Sequence, residues 1–162
     1  MFAPYLPSTH GVPDPAVLVR PARADDMPGI VAVASSRGSL PEGWSARVSE
    51  HLTDPDWTVL AAVDRDVVGW AMLGPWDADP PGRYVSGLTV APSARRRGIG
   101  DRLLAGLLAG ETTVFSVINT RNGASLDLHR RHGFTEVARA ARIAGVSFEG
   151  GSGVLLRRDR KE

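Results

Sequence analysis

The chain has 162 residues, 43% of them hydrophobic and 23% charged, with a net charge of +1. That suffices for one domain around one core, and the near-neutral balance excludes a molecule that binds polyanions over its whole surface. The absence of cysteine excludes disulfides, thiolate metal sites and a cysteine acyl-enzyme, and fits a reducing cytoplasm.

Residues 1–15 contain Pro4, Pro7, Pro13 and Pro15 and are expected to form a mobile or loosely docked arm, ahead of a single domain over residues 16–160. Val17 to Arg20 reads as a short strand. A helix opens at Ala24-Asp25-Asp26, with Asp25 as its N-terminal acid and Met27, Ile30, Val31 and Ala34 as its buried face. Gly38 and Pro41 break the chain, and a second helix is expected over Gly43 to Leu52. Trp57 to Val63 and Val67 to Leu73 form two strands joined at Asp64-Arg65-Asp66, a hairpin signal. Asp77 to Gly82 is a turn, and Tyr84 to Val90 is the next strand. Gly98 to Leu108 is a helix whose Ile99, Leu103, Leu104, Leu107 and Leu108 share one face. Thr113 to Ile118 is a β-branched strand, and Ser125 to His132 is a helix ended by Gly133. Thr135 to Arg142 and Gly153 to Arg157 are closing strands, linked through Val146 to Gly151.

One segment concentrates chemistry. From Val85 the chain runs Val85-Ser86-Gly87-Leu88-Thr89-Val90-Ala91-Pro92, crosses Arg95-Arg96-Arg97 and the glycines of Gly98-Ile99-Gly100, and continues into the amphipathic helix. A strand that ends in a tight glycine turn and a helix N-terminus aims unpaired N–H groups at a ligand, which is the layout of an anion site. Glycine lets an anion approach the main chain, and the arginines put positive charge at the mouth. No Gly-Lys-Ser/Thr follows, so the segment is no nucleotide P-loop. The glycine spacing is also too short for a dinucleotide fingerprint.

This segment resembles the acyl-CoA pyrophosphate loop of the GNAT superfamily of N-acetyltransferases, whose pattern is Arg/Gln-x-x-Gly-x-Gly/Ala. Asn122-Gly123-Ala124-Ser125-Leu126-Asp127-Leu128-His129-Arg130-Arg131-His132-Gly133-Phe134 resembles a second family motif, downstream in the right order. The likeness covers roughly residues 61–134. It implies an α/β (α+β) fold with a mixed, mostly antiparallel sheet flanked by helices. It further implies that the strands of Tyr84–Val90 and Thr113–Ile118 splay apart to admit a pantetheine chain.

The resemblance implies acetyl transfer from acetyl-CoA to a primary amine of a small molecule or peptide, by direct attack in a ternary complex. The cofactor-binding residues it carries over are Leu88, Thr89, Val90, Arg95, Arg96, Arg97, Gly98, Ile99, Gly100, Asp101, Asn122 and Ser125. Backbone N–H groups of Arg96 to Asp101 would cradle the pyrophosphate. Leu88 and Val90 would pair with pantetheine amides like an added strand. Asn122 serves as a contact, a helix cap or both. The Val90 N–H matches the family's donor to the acetyl oxygen.

Proton handling is the third task. An alkyl amine is only about 0.04% neutral at pH 7, so deprotonation costs roughly 4.6 kcal/mol without assistance. His129 fills the position where family members often carry a tyrosine that protonates the departing thiolate. A histidine of ordinary pKa can donate a proton; otherwise His129 is a helix residue with a satisfied imidazole, or a contact near the sulfur. His132 is expected to pack beside Phe134. Ser86, Asp77 and Glu42 are candidates for a general base, beside a water.

Residues 36–44 and 144–153 should build the acceptor cleft, with Trp44, Trp76 and Phe148 as an apolar wall. Asp77, Asp79 and Glu42 would then attract a cationic amine; the plainer alternative makes these aromatics core and the acids a solvated turn. No metal is expected, since the four histidines lack ligand spacing. Neither is nucleic acid, nor a membrane span or secretory signal. A homodimer through the last strand, Gly153 to Arg157, is an open expectation. A non-catalytic acyl-CoA sensor is the alternative function.

Overall fold

A computed structural model describes residues 12–143, 145–148 and 152–162; most of the proline-rich arm lies outside these described residues. The elements in chain order are β1 (Leu18–Pro21), α1 (Met27–Ser35), α2 (Trp44–His51), β2 (Thr58–Asp64), β3 (Asp66–Trp76) and β4 (Gly82–Val90). There follow α3 (Ile99–Leu108), β5 (Thr113–Asn119), α4 (Gly123–Arg131), β6 (Thr135–Ala140), β7 (Arg142–Ile143), β8 (Val146–Ser147) and β9 (Gly153–Asp159). Seven strands form one sheet in the order β1-β2-β3-β4-β5-β9-β6. Every pair in it is antiparallel except β4 with β5. This is the expected mixed, mostly antiparallel sheet.

Alternation along β2 and β3 sends side chains to two cores, because successive residues face opposite sides of a sheet. Leu60, Ala62, Ala71 and Leu73 pack against α3. Val59, Trp70 and Met72 pack under α1 and α2. In α3, Ile99, Leu103, Leu104 and Leu107 are at most 2% exposed. That face anchors the loop preceding it, and Leu103→Ala would cost about 2–5 kcal/mol.

Four expectations change. In α1 the buried fourth position is Val33, not Val31, which is only half-buried; the helix lies on the sheet through the i, i+3, i+6, i+7 row. The acid that matters at its start is Asp26, not Asp25. Its carboxylate accepts two bonds from Arg20, at 2.7 and 2.9 Å, and one from the Arg23 N–H at 2.7 Å. The Arg20 guanidinium, followed by that N–H, holds Asp26 below its usual pKa against its burial. Arg142 does not extend the sixth strand: with Ile143 it pairs with Val146–Ser147 in a separate two-stranded ribbon. Finally, β9 is no edge. It inserts between β5 and β6, so the free edge at that end is β6, exposed along its whole length and bulged at Val137.

Candidate active site

β4 and β5 pair only at Arg83–Val114, Tyr84–Phe115 and Val85–Ser116. Beyond those pairs both strands continue, β4 to Val90 and β5 to Asn119, and they diverge into a wedge. The divergence begins at a bulge at Ser86, which has no counterpart between Met72 and Leu73 of β3. A bulge bends its strand and increases local twist. Gly87 follows, and the Trp70 ring lies where any Cβ on it would stand.

The register fixes which way the β4 backbone points. The Ala91 N–H donates to the Val68 carbonyl at 2.8 Å, while Val90 stands opposite Gly69. That combination makes Val90–Gly69 a non-hydrogen-bonded pair of the ladder, and Leu88–Ala71, two residues back, another. The N–H and C=O groups of Leu88 and Val90 therefore face away from β3, into the wedge. Thr89 faces β3 through its backbone, and its side chain is buried.

The loop that follows turns through two left-handed residues, Arg96 at φ 65° and Gly98 at φ 67°. A Cβ on Gly98 would stand 3.0 Å from the Cα of Pro13. The segment before β1 lies along this loop: Val12 N–H donates to the Arg96 carbonyl at 3.3 Å and Asp14 N–H to the Arg97 carbonyl at 3.2 Å. In a trans peptide the N–H points opposite to the C=O. The Arg97 and Gly98 N–H groups consequently point away from the arm. The first intrahelical bond of α3 runs from the Arg102 N–H to the Gly98 carbonyl at 3.2 Å, so the N–H groups of Ile99, Gly100 and Asp101 have no partner within the helix. They are placed together where a backbone cradle could hold an anion.

The side chains of this motif do other work. Arg97 bridges Asp14 at 2.7 Å and Asp64 at 2.6 Å, so two carboxylates offset its charge. Arg95 and Arg96 are exposed. Ile99 belongs to the core. Asp101 accepts from Arg131 at 2.6 Å and contacts His132 Nε2 at 3.1 Å, which ties α3 to α4. His132 thus faces an acid; the imidazole beside Phe134, at 5.0 Å edge-on, belongs to His129. Asn122 caps α4, its Oδ1 accepting from the Ser125 N–H at 3.2 Å, and also lines the cavity described next.

The wedge opens into a cavity of about 300 Å³, lined among others by Arg37, Tyr84, Leu88, Ser116, His129 and Phe148. His129 is 2% exposed. Its Nδ1 lies 2.8 Å from the Ser125 carbonyl, and its Nε2 3.1 Å from Ser116 Oγ. A carbonyl can only accept, so Nδ1 carries the proton, and Nε2 accepts from the Ser116 hydroxyl. Burial pushes the imidazole pKa down to about 4, outweighing the opposing bond to Ser125, with nearby His132 lowering it further. At pH 7 only about one molecule in a thousand is protonated there. The ordinary histidine pKa expected from sequence does not survive burial, and Nε2 is an acceptor in the resting protein.

Of the acceptor-side aromatics and acids and the base candidates named from sequence, Phe148 and Ser86 line this cavity, and the expected segment 36–44 reaches it through Arg37. Trp44 sits edge-on to Trp70 at 5.3 Å, and Trp76 stacks on Phe115 at 4.5 Å. Glu42, Asp77 and Asp79 are exposed and do not line it. Ala144 and residues 149–151 of the expected cleft lie outside the described residues. Tyr84 and Ser116 were not anticipated, and Arg37 was not singled out within its segment. Ser116 had a signal: a hydroxyl inside the apolar run Thr113 to Ile118 needs a buried partner. Burial pushes the Tyr84 phenol pKa up, keeping it protonated. Among the described residues no group of three or more His, Cys, Asp or Glu is placed to hold a metal, and no helix is long and apolar enough to cross a membrane.

Residues 29–134 match the model of the Acetyltransferase (GNAT) family. The chain is 31% identical over 100 residues to an L-methionine sulfoximine/L-methionine sulfone acetyltransferase of Salmonella typhimurium, covering 57% of this chain and 58% of that protein. It is 33% identical over 96 residues to an uncharacterized protein of Mycobacterium leprae, covering 57% of this chain and 26% of that one. The chain thus spans between a quarter and little more than half of the relatives it matches. Among solved structures, a phosphinothricin acetyltransferase from Sinorhizobium meliloti in complex with AcCoA superposes with a TM-score of 0.72 at 20% identity. That match covers 89% of this chain and 88% of that one.

Proposed function

The chain belongs to the GNAT acetyltransferase family, and from that premise we propose that it moves the acetyl group of acetyl-CoA to a primary amine, directly, within the wedge between β4 and β5. The observation that carries this reading is the outward-facing backbone of Leu88 and Val90, continuous with the N–H cradle at Arg97 to Asp101. Together they fit a strand-like amide chain that ends in a pyrophosphate. The cofactor would supply an activated acetyl thioester; the protein holds it and manages charge and protons.

Backbone N–H groups from Arg97 to Asp101 bind the pyrophosphate, with Arg95 and Arg96 adding solvated charge. Val90 pairs with the pantetheine chain. Leu88 shares the orientation of Val90 and also lines the cavity, whereas Val90 does not, so the donor to the acetyl oxygen is assigned to the Leu88 N–H. Such a donor is typically worth about 3 kcal/mol. Tyr84, whose phenol stays protonated, supplies the proton to the departing sulfur. His129 acts as an acceptor that fixes the Ser116 hydroxyl. The acceptor is a small amine-bearing molecule, as the name of the Salmonella relative also suggests.

The test is a thermal melt with acetyl-CoA and with ATP, followed by an assay for free thiol with amines. At about 100 times the dissociation constant, a ligand stabilises by about 2.7 kcal/mol, or roughly 5–10 °C for a domain of this size. A shift with acetyl-CoA alone, followed by thiol release, supports the enzyme. A shift without thiol release for any amine would leave a CoA sensor, and no shift would remove the cofactor.

A further inference from the structure

Ser116 is a nucleophilic side chain that amine transfer leaves without chemistry of its own. It stands on β5 opposite Val85, the last pair before β4 and β5 part, so it sits where the wedge closes. It is 3% exposed, yet it lines the cavity together with Leu88 and His129. Its Oγ lies 3.1 Å from His129 Nε2. The other ring nitrogen fixes the tautomer. Nδ1 donates to the Ser125 carbonyl at 2.8 Å, with Ser125 Oγ at 3.5 Å from the same nitrogen. Ser125 and His129 are one turn apart on α4, so the orienting bond is built into the helix. Phe134 lies edge-on to the ring at 5.0 Å and restricts its rotation. Nε2 is left as an acceptor, and the Ser116 hydroxyl donates to it. A hydroxyl donating to an imidazole that is held in one tautomer is the arrangement that activates a serine as a nucleophile. Burial keeps Nε2 unprotonated at neutral pH. It also makes the ring a weaker base than an exposed imidazole, which slows proton removal without preventing it.

We propose that Ser116 is an acetylation site of this chain: without an amine its Oγ takes the acetyl group of acetyl-CoA, and water then releases acetate, so the protein is also a slow acetyl-CoA hydrolase. The proposal rests on acetyl-CoA lying in the wedge, the reading given above. In the first half Ser116 Oγ bonds to the acetyl carbon and the carbon–sulfur bond breaks. The hydroxyl proton passes to His129 Nε2 and from there to the departing sulfur. In the second half a water attacks the serine ester; the cavity holds on the order of ten water volumes, so one fits beside the bound chain. The water oxygen bonds to the acetyl carbon as Nε2 takes its proton, and Nε2 returns that proton to Ser116 Oγ as the ester breaks. The sum is acetyl-CoA and water giving acetate, a proton and free CoA, with nothing oxidised or reduced. An amine that fills the cavity displaces the water and attacks the thioester directly, so the serine route runs when the acceptor is missing.

The experiment incubates the native protein with acetyl-CoA and isotopically labelled CoA, with no amine present. Label should pass into acetyl-CoA, because an acetyl-serine reacts back with free CoA, whereas direct transfer to an amine has no such exchange. Quenched protein should carry one added acetyl group, which peptide fragmentation by mass spectrometry should map to Ser116. Free thiol should also accumulate slowly without amine. In Ser116→Ala the adduct and the exchange should both vanish. In His129→Gln amine-free thiol release should fall about a hundredfold. The exchange and the mapping are made on the native chain, so they decide the matter even if a variant folds poorly. A melt shift with acetyl-CoA but neither exchange nor adduct would overturn the proposal and leave amine transfer standing. So would an adduct mapped to any other residue, or exchange that survives in Ser116→Ala. No melt shift would remove the bound donor, and this proposal with it.

Discussion

The proposed anion cradle and the proposed acceptor cavity adjoin, yet they are made of different material. The cradle is local. Arg95 to Asp101 are consecutive, the working groups are main-chain N–H, and two left-handed residues plus a helix start determine where those groups point. The cavity is assembled from the end of α1, from β4, β5 and α4, and from Phe148 in the linker before β9, and it works through side chains. A site of the first kind survives side-chain drift but not backbone change. A site of the second kind can be re-specified one side chain at a time.

The largest effect should come from attacking the cradle's backbone. Gly98→Val combines a disfavoured φ with a clash at Pro13, and should abolish the acetyl-CoA melt shift; a preserved shift would mean that the loop is not the binding element. Next are the cavity's proton groups. Tyr84→Phe should lower kcat about ten- to a hundredfold with little change in acetyl-CoA binding, and an unaltered kcat would remove Tyr84 from the chemistry. His129→Phe should not create or abolish a pH limb between 6 and 8, since its proton leaves near pH 4. A limb present in the native protein and lost in the variant would restore His129 as the donor.

His129 also sets a stability slope. Its folded pKa, about 4, lies below the ordinary imidazole value of 6.5, so the unfolded chain binds the proton first. The stability is fully present above 6.5 and is lost as pH falls from 6.5 towards 4, by roughly 3 kcal/mol. His129→Gln should flatten melts across that window. Asp26 stabilises the fold at every pH above its ordinary value of 3.8 and loses that contribution only as pH falls further, because Arg20 holds its carboxyl below that value. The smallest effects belong to surface charge. Arg97→Gln should weaken acetyl-CoA only a few-fold, by loosening the arm, and Asp77→Asn should change neither KM.

The same contrast explains what could be read from the sequence. Glycine spacing and apolar periodicity are local, so the cradle, the buried face of α3 and the hairpin at Arg65 could be recognised within a few residues. The insertion of β9 between β5 and β6 could not, because an interior strand and an edge strand with the same alternation look alike. Arg37 lay in the segment expected at the cleft but was not singled out, since an arginine after an amphipathic helix reads as solvated. His129 was found by its position in a motif. Its protonation state was not, because that depends on burial and on which atom faces the Ser125 carbonyl. The Val31 and Val33 exchange shows the limit of periodicity: two neighbouring apolar positions both fit a helical stripe, and the sheet beneath decides.

The Val12 and Asp14 bonds to the loop carbonyls carry one more consequence. They hold the peptide planes of Arg96 and Arg97 in the orientation that frees the N–H groups on the opposite side. Docking of this segment and binding of an anion therefore favour the same loop conformation, and coupling of that kind is reciprocal. Whatever factor the docked segment contributes to CoA affinity, CoA must return to the docking of the segment. A protease cutting near Val12 should consequently be slowed by acetyl-CoA, and a chain truncated past Asp14 should bind the cofactor more weakly although no residue has been removed from the cradle.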